Sequence, residues 1–301
     1  MGTALNNTNV AADINFSLDK ELIREFDGEY SRLAEILGIF RPEVVAAGTA
    51  LYQLEIAGKP VDGTDAVGSS GTAYVEGDIV ALSKMTVKKT PVGDVKLMPY
   101  RRLTTAQAIA KSGYEVAVMK TDKKLVSGIR AGILKQFFTF LGTGTGSATE
   151  AKTLQAALAN VDAKLGDTLE TNGDEGGRLI HFVNRQDAAA YLGTAPVTTQ
   201  TAFGMTYLQN FLGITDVFLT SQVESGAVIA TPVENIHVFT PDFGSLAKGG
   251  LSYTQSDSGL IGVAHAPAYD RVSTETNVLA GLMLFPEVKD YIVKGDIAPG
   301  V

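Results

Sequence analysis

The chain contains no cysteine and no tryptophan, and only three histidines among its 301 residues. Without cysteine there is no disulfide framework, no thiolate metal site and no thiol nucleophile, so redox chemistry on the chain itself is excluded. Long apolar runs are missing as well: no stretch approaches the roughly 18 residues that a membrane span requires. The opening segment, MGTALNNTNVAADINF, lacks the charged and then apolar regions of a secretory signal. Met1-Gly2 has the start of a myristoylation signal, but Asn6 stands where that signal needs Ser or Thr. The expectation is a protein made and kept in the cytosol. An excess of positive charge is also lacking: 25 Lys and Arg stand against 33 Asp and Glu, a net charge of -8. A dedicated DNA-reading domain is usually basic, so any nucleic-acid contact is confined to a local patch.

The familiar chemical motifs are sparse too. The segment Gly142-Thr-Gly-Thr-Gly-Ser147 has the glycines of a phosphate loop. It follows a helical pattern, however, lacks Gly-Lys-Ser/Thr and misses the G-x-G-x-x-G spacing, so it reads as a hinge. His181, His237 and His265 each lie in an apolar run, far apart and without zinc-ligand spacing. They read as satisfied core or surface histidines. No G-x-S-x-G, H-E-x-x-H or calcium-loop pattern occurs. The acids of Gly173-Asp-Glu-Gly-Gly177 sit in a glycine turn, where solvated carboxylates are expected before an acid/base pair.

What is present is enough hydrophobic sequence, 45%, for one large core or two smaller ones. Residues 1–16 are polar and aperiodic, a loose arm. From the N-cap candidate Ser17, Leu22, Phe26, Tyr30, Leu33 and Leu37 follow at helical spacing to Gly38, with acids in the first turn. Arg41-Pro42 closes that helix, and residues 44–58 continue as extended chain. The glycine-rich stretch 58–77 has too few apolar residues to hold a core position. Residues 74–102 read as two extended runs joined at Thr90-Pro-Val-Gly-Asp94, a long hairpin. A short helix follows, with Thr104 and Gln107 as its capping pair and Gly113 as its stop.

A long helix then carries Tyr114, Val118, Leu125, Ile129, Ile133, Phe137 and Phe140 on one face. Its internal Gly128 and Gly132 predict close packing against another backbone. Beyond it the pattern becomes α/β. A helix is expected with Ser147 and Glu150 as caps and Gly166 as stop, then a buried strand in Arg178-Leu-Ile-His-Phe-Val-Asn184. Helices are expected over 186–192 and 203–212, with strands after them, and a tail of long strands that returns to the hairpin.

Charge is unevenly distributed. Between Lys84 and Arg102 the cations are Lys84, Lys88, Lys89, Lys96, Arg101 and Arg102 against Asp94, a net of 6 - 1 = +5. From Asp13 to Glu43 eight acids face four cations, a net of 4 - 8 = -4. Two solvated faces are one reading. Contact between complementary segments of separate copies is the other, because a two-stranded arm is marginal alone and its edges invite another chain.

The order of parts resembles the major capsid proteins of tailed bacteriophages with the Hong Kong 97-type fold. The likeness rests on the arm, the acidic helix, a long hairpin with Glu76-Gly77, and a spine helix ending in FLGTGTGS. It extends into an α/β block containing LIHFVNRQDAAAYL and FLGITDVFLTSQVESGAVIA. The resemblance implies an α+β fold in four parts: an N-terminal arm and acidic helix (1–48), an extended loop (49–102), a peripheral domain with the spine helix (103–142 and 256–301) and an axial domain (143–255). It implies a structural protein rather than an enzyme, with no catalytic residue, metal or cofactor. Hexamers and pentamers would build an icosahedral head around double-stranded DNA, in a virion assembled in a bacterial cytoplasm.

The partners implied are further copies of the chain, a portal and a separate scaffolding protein, the last because only about 16 polar residues precede the first helix. DNA would be held by nonspecific contact, with no membrane involved. The loop cations Lys84, Lys88, Lys89, Lys96, Arg101 and Arg102 would lie across a neighbouring subunit, with Glu21, Glu25 and Glu29 as candidate acidic partners. Crosslinking through a loop lysine, known in some relatives, has candidates in Lys84, Lys88 and Lys89. Two alternatives stay open: an encapsulin-type compartment shell with the same fold, and, more remotely, an α/β enzyme with an unrecognised site.

Overall fold

The apolar stripe Ile129, Ile133 and Phe137 becomes the buried face of the longest helix among the described residues, as its helical spacing requires, and Val118 continues it into the turn before that helix. The computed structural model describes residues 22, 23, 36, 39–57, 82–174, 176–194, 207–211, 214–256 and 258–298. A short helix, α1 (Ala106–Ser112), comes first. Thr105 caps it, accepting from the Ala108 amide at 3.3 Å, and Gly113 ends it at φ 78°. The expected cap, Thr104, is displaced by one residue because it is a buried member of the preceding strand. A π turn over Glu115–Met119 then leads into α2 (Lys120–Leu141), about 33 Å long at about 1.5 Å per residue.

The two internal glycines of α2 do not pack as expected. Among the described residues a Cβ built at Gly128 or Gly132 meets nothing within 4 Å, and both residues are exposed. Glycine in a helix interior costs about 0.5–1 kcal/mol relative to alanine. Gly128→Ala and Gly132→Ala are each expected to raise the unfolding free energy of the unassembled subunit by about that amount in urea titrations. A loss of stability would show that another group fills the space.

The chain divides into two compact units, Gly48–Asp94 and the remainder. In the smaller unit β2 (Ala50–Ala57) and β3 (Thr86–Asp94) form an antiparallel ribbon. This corrects the hairpin expected over 74–102. Its supposed turn, residues 90–94, lies inside β3, and the register shifts at Leu51/Tyr52, opposite Pro91 and Gly93. Proline has no N–H to give to a ladder, and an irregularity in the pairing accommodates that loss without reversing the strand. The run that follows, β4 (Met98–Thr105), belongs to the larger unit. Residues 95–102 are thus separated from the loop to which they were assigned.

In the larger unit β4 forms the edge of a four-stranded antiparallel sheet ordered β11-β12-β13-β4, with β11 Thr254–Gln255, β12 Ile261–Ala268 and β13 Ser273–Ala280. The tail therefore does return to residues 98–105, with Ser273 opposite Thr105 and Ala280 opposite Met98. A second sheet joins β1 (Glu43–Ala46), in parallel, to β10 (Ile236–Asp242), which pairs antiparallel with β14 (Met283–Pro286).

The third sheet is mixed and six-stranded, ordered β5-β15-β9-β6-β8-β7. Its strands are β5 (Gly146–Ser147), β6 (Leu179–Asn184), β7 (Tyr207–Phe211), β8 (Ile214–Thr220), β9 (Ala227–Pro232) and β15 (Val293–Asp296). Two helices accompany it, α3 (Leu154–Asn172) and α4 (Arg185–Thr194). Leu158, Val161 and Leu165 of α3 pack with Val183, Val217, Val228 and Val293 of the sheet. Ile180, Phe182 and Phe218 instead join Ile133, Phe137 and Phe138 of α2 in the main core, together with Leu22, Ile23, Ile36 and Phe40. The buried run of β6 thus separates two apolar layers, as its unbroken hydrophobicity predicts.

Four expectations fail in this region. Helix α3 is capped by Thr153 and runs through Gly166 to Gly173, whose φ of 77° supplies the left-handed stop. Residues 207–211 are strand rather than helix, because pairing with β8 overrides local preference. Val293–Asp296, assigned with the spine helix, completes the α/β sheet. The glycine segment after α2 is tied down: the Gly146 amide donates to the Ile292 carbonyl at 3.2 Å, and a Cβ on Gly144 would stand 2.5 Å from Ile292. Most of the acidic helix over 17–37, and the glycine-rich stretch 58–77, lie outside the described residues.

Candidate functional site

The smaller unit, which contains the β2–β3 ribbon, holds three of the six loop cations. Seven of the nine residues of β3 are exposed, so it has no buried face. Lys88 and Lys89 stand opposite Glu55 and Leu54 in the register. The Lys89 ammonium lies 4.0 Å from the centre of the Tyr52 ring, a cation–π contact. Lys84, also exposed, lies just before the strand. Large apolar side chains accompany the cations: Leu82 is 92% exposed and Val87 64%, with Met85 and Tyr52 about half exposed. Among the described residues β2 and β3 have only each other as strand partners.

The other three cations lie in the larger unit. Lys96 is exposed in the link between β3 and β4. Arg101 is paired within the chain, donating from Nε to Glu275 of β13 at 3.1 Å and from Nη2 to the same carboxylate. Arg102 is the centre of a partly buried network. It pairs with Asp122 of α2 and donates to Thr104 Oγ1 at 2.6 Å and to the Ala117 and Val118 carbonyls at 2.5 and 3.3 Å. Those carbonyls belong to the π turn, so the guanidinium serves acceptors at the point where the helix departs from regular geometry. The second Asp122 oxygen lies 3.0 Å from His265 Nε2 and accepts from Thr276 Oγ1 at 3.0 Å. Arg101 and Arg102 thus lie outside the ribbon, in the sheet of the larger unit, each with a partner within the chain. Glu21, Glu25 and Glu29 lie outside the described residues.

Sequence reasoning missed Asp122. The signal was an acid between Val118, Leu125 and Ile129 on an otherwise apolar stripe, a position that demands a partner. Of the histidines, His265 meets Asp122, and His237 meets Glu287 at 2.9 Å. His181 is fully buried on β6. The Asp162 carboxylate approaches it to 3.3 Å, at an angle that leaves both ring nitrogens without a hydrogen bond. It is not the satisfied histidine expected. The Asp174 carboxylate accepts from the buried Tyr291 hydroxyl, and burial first, then that bond, raises the Tyr291 pKa. Among the described residues no group of three His, Cys, Asp or Glu is placed to hold a metal ion. No helix among them is long and apolar enough to cross a membrane.

No family model matches the chain, and no curated protein matches it. Solved structures do. The chain is similar to the virus-like particle from Pyrococcus furiosus at 11% identity, covering 94% of this chain and 100% of that one, with a TM-score of 0.51. It is similar to the capsid of cyanophage A-1(L) at 14% identity, covering 88% and 93%, with a TM-score of 0.54. The mature capsid of bacteriophage PhiM1 gives 7% identity, 86% of both chains and a TM-score of 0.56. Identities this low speak to architecture, and the architecture agrees across nearly the whole length. The chain has the α+β fold of the Hong Kong 97-type major capsid proteins of tailed bacteriophages.

Proposed function

We propose that this chain is the repeating subunit of a closed protein shell, and that the β2–β3 ribbon is the strap by which one copy lies across the next. The observation that carries the reading is the ribbon itself: two paired strands with no buried face on β3, exposed apolar side chains and the cations Lys84, Lys88 and Lys89 beside or on them. A two-stranded ribbon is marginal in water, and a second chain supplies what its own unit does not. Identical subunits joined by such unlike patches close into rings. Under this reading residues 103–142 with most of 256–301 form the peripheral part, and 143–255 with β15 the axial part. Hexamers and pentamers build the head of a tailed phage around double-stranded DNA, with portal and scaffolding proteins as partners.

Reversal of Lys88 and Lys89 to Glu tests the strap. Each exposed ion pair contributes only about 0.2–1 kcal/mol, but the contact repeats around every ring. The double variant is expected to fold as the parent does and to assemble less, with the larger deficit at about 50 mM salt, where screening is weakest. Reversal of Glu21 and Glu25 alongside it restores part of the loss if the acidic helix of a neighbour is the partner, and Glu29 is tested in the same way. Light scattering that finds the double variant equal to the parent at both low and high salt removes the electrostatic strap.

The full-length match to the Pyrococcus furiosus virus-like particle supports a second reading, an encapsulin-type shell around a protein cargo. The contents of particles purified from the native source separate the two: nucleic acid for the phage head, a cargo enzyme for the compartment.

A further inference from the structure

Helix α2 carries Lys120, Lys123, Lys124, Arg130 and Lys135 against a single acid, in a chain whose net charge is -8. That acid, Asp122, is 2% exposed and paired with Arg102. The helix therefore presents no carboxylate of its own to solvent. Lys120, Lys124 and Lys135 are all exposed, and at about 100° per residue they fall within an arc of about 60°. Along the axis they span about 22 Å at about 1.5 Å per residue. Between them Ser127, Gly128 and Ala131 are exposed and short, and the space over Gly128 is open to at least 4 Å. Nothing on the helix overhangs the lysines.

We infer that this face of α2 is a phosphate track, a seat for the backbone of a double-stranded nucleic acid held without regard to sequence. Lysine ammonium groups act as point charges toward phosphate oxygens, and the span of the three is about two-thirds of one duplex turn of about 34 Å. Single strands are held by stacking on exposed aromatic rings. The helix offers none there, since Phe137 and Phe138 are buried and Phe140 is half-buried. An acidic chain can thus hold nucleic acid through one local stripe while the rest of its surface repels it. The inference rests on the shell reading, because it names what the shell contains.

The test is binding of the unassembled full chain to a mixed-sequence duplex of about 30 base pairs, followed by fluorescence anisotropy. Neutralising three phosphates predicts an affinity that falls about 40-fold between about 50 and 200 mM salt. The variant Lys120→Gln/Lys124→Gln/Lys135→Gln is expected to bind at least about tenfold more weakly at the lower salt and to lose nearly all of that dependence. The corresponding triple Lys→Arg variant keeps both, which separates lost charge from lost folding. Lys84→Gln/Lys88→Gln/Lys89→Gln binds as the parent. The inference is overturned if the helix variant binds like the parent, if the ribbon variant loses binding in its place, or if a polyglutamate peptide binds the parent more tightly than the duplex does. Particle formation is measured on the same preparations, so a chain that assembles but binds no duplex overturns this inference alone.

Discussion

Phe137→Ala is expected to lower the unfolding free energy of the subunit by about 3–5 kcal/mol, the cost of lost transfer plus an unfilled cavity. Phe137 is fully buried, and its ring centre lies 5.5 Å from Phe40, 5.3 Å from Phe138 and 6.0 Å from Phe182. These rings come from the end of the N-terminal segment, the spine helix and the central strand of the six-stranded sheet. No single neighbour can move in to fill the void without unseating the others. The loss is a large share of the roughly 5–15 kcal/mol that holds a domain folded, so insoluble expression is the expected phenotype at 37 °C. Urea titration of refolded material gives the number, and an unchanged midpoint contradicts the assignment of this helix face.

The second large effect is expected at Asp122. Removal of one member of a buried ion pair costs about 3–5 kcal/mol, because the partner charge is left uncompensated. Asp122→Ala does this to Arg102 and leaves the donor of Thr276 and the His265 contact without their shared acceptor. Arg102→Met alone strips donors from the π turn and strands the carboxylate. The combination of Arg102→Met with Asp122→Leu is expected to cost clearly less than the sum of the single changes, since neither charge is then left behind. Additive losses in chemical denaturation would show that the two residues act independently.

How much of this was legible in the sequence depends on whether a feature is fixed by neighbours in the chain or by distant ones. The spine helix and strand β6 announce themselves through spacing alone: Ile129, Ile133 and Phe137 recur at every fourth residue, and Leu179–Asn184 is an apolar run bounded by charge. The ribbon was misread because strand pairing is a long-range choice. Thr90–Asp94 has the composition of a turn, yet β2 recruits it as strand, while β13 takes Arg101 and Arg102. The same competition turned residues 207–211 from the expected helix into an edge strand. Gly128 and Gly132 carried a real signal, a conformational cost inside a helix, but among the described residues no body packs against them. Of the six cations proposed for contact between copies, Lys84, Lys88 and Lys89 of the smaller unit keep that role as a proposal, Lys96 lies exposed in the link, and the two arginines of β4 also have partners in the chain's own sheet and helix.

Shell formation by this chain is tested by electron microscopy of the purified protein, alone and with the scaffolding protein proposed above. Closed particles of uniform diameter with ring-shaped clusters of subunits on their surface are expected, replaced by open or smaller assemblies in the Lys88→Glu/Lys89→Glu variant. Fields that contain only dispersed monomers, at every protein concentration and with the partner present, would contradict it.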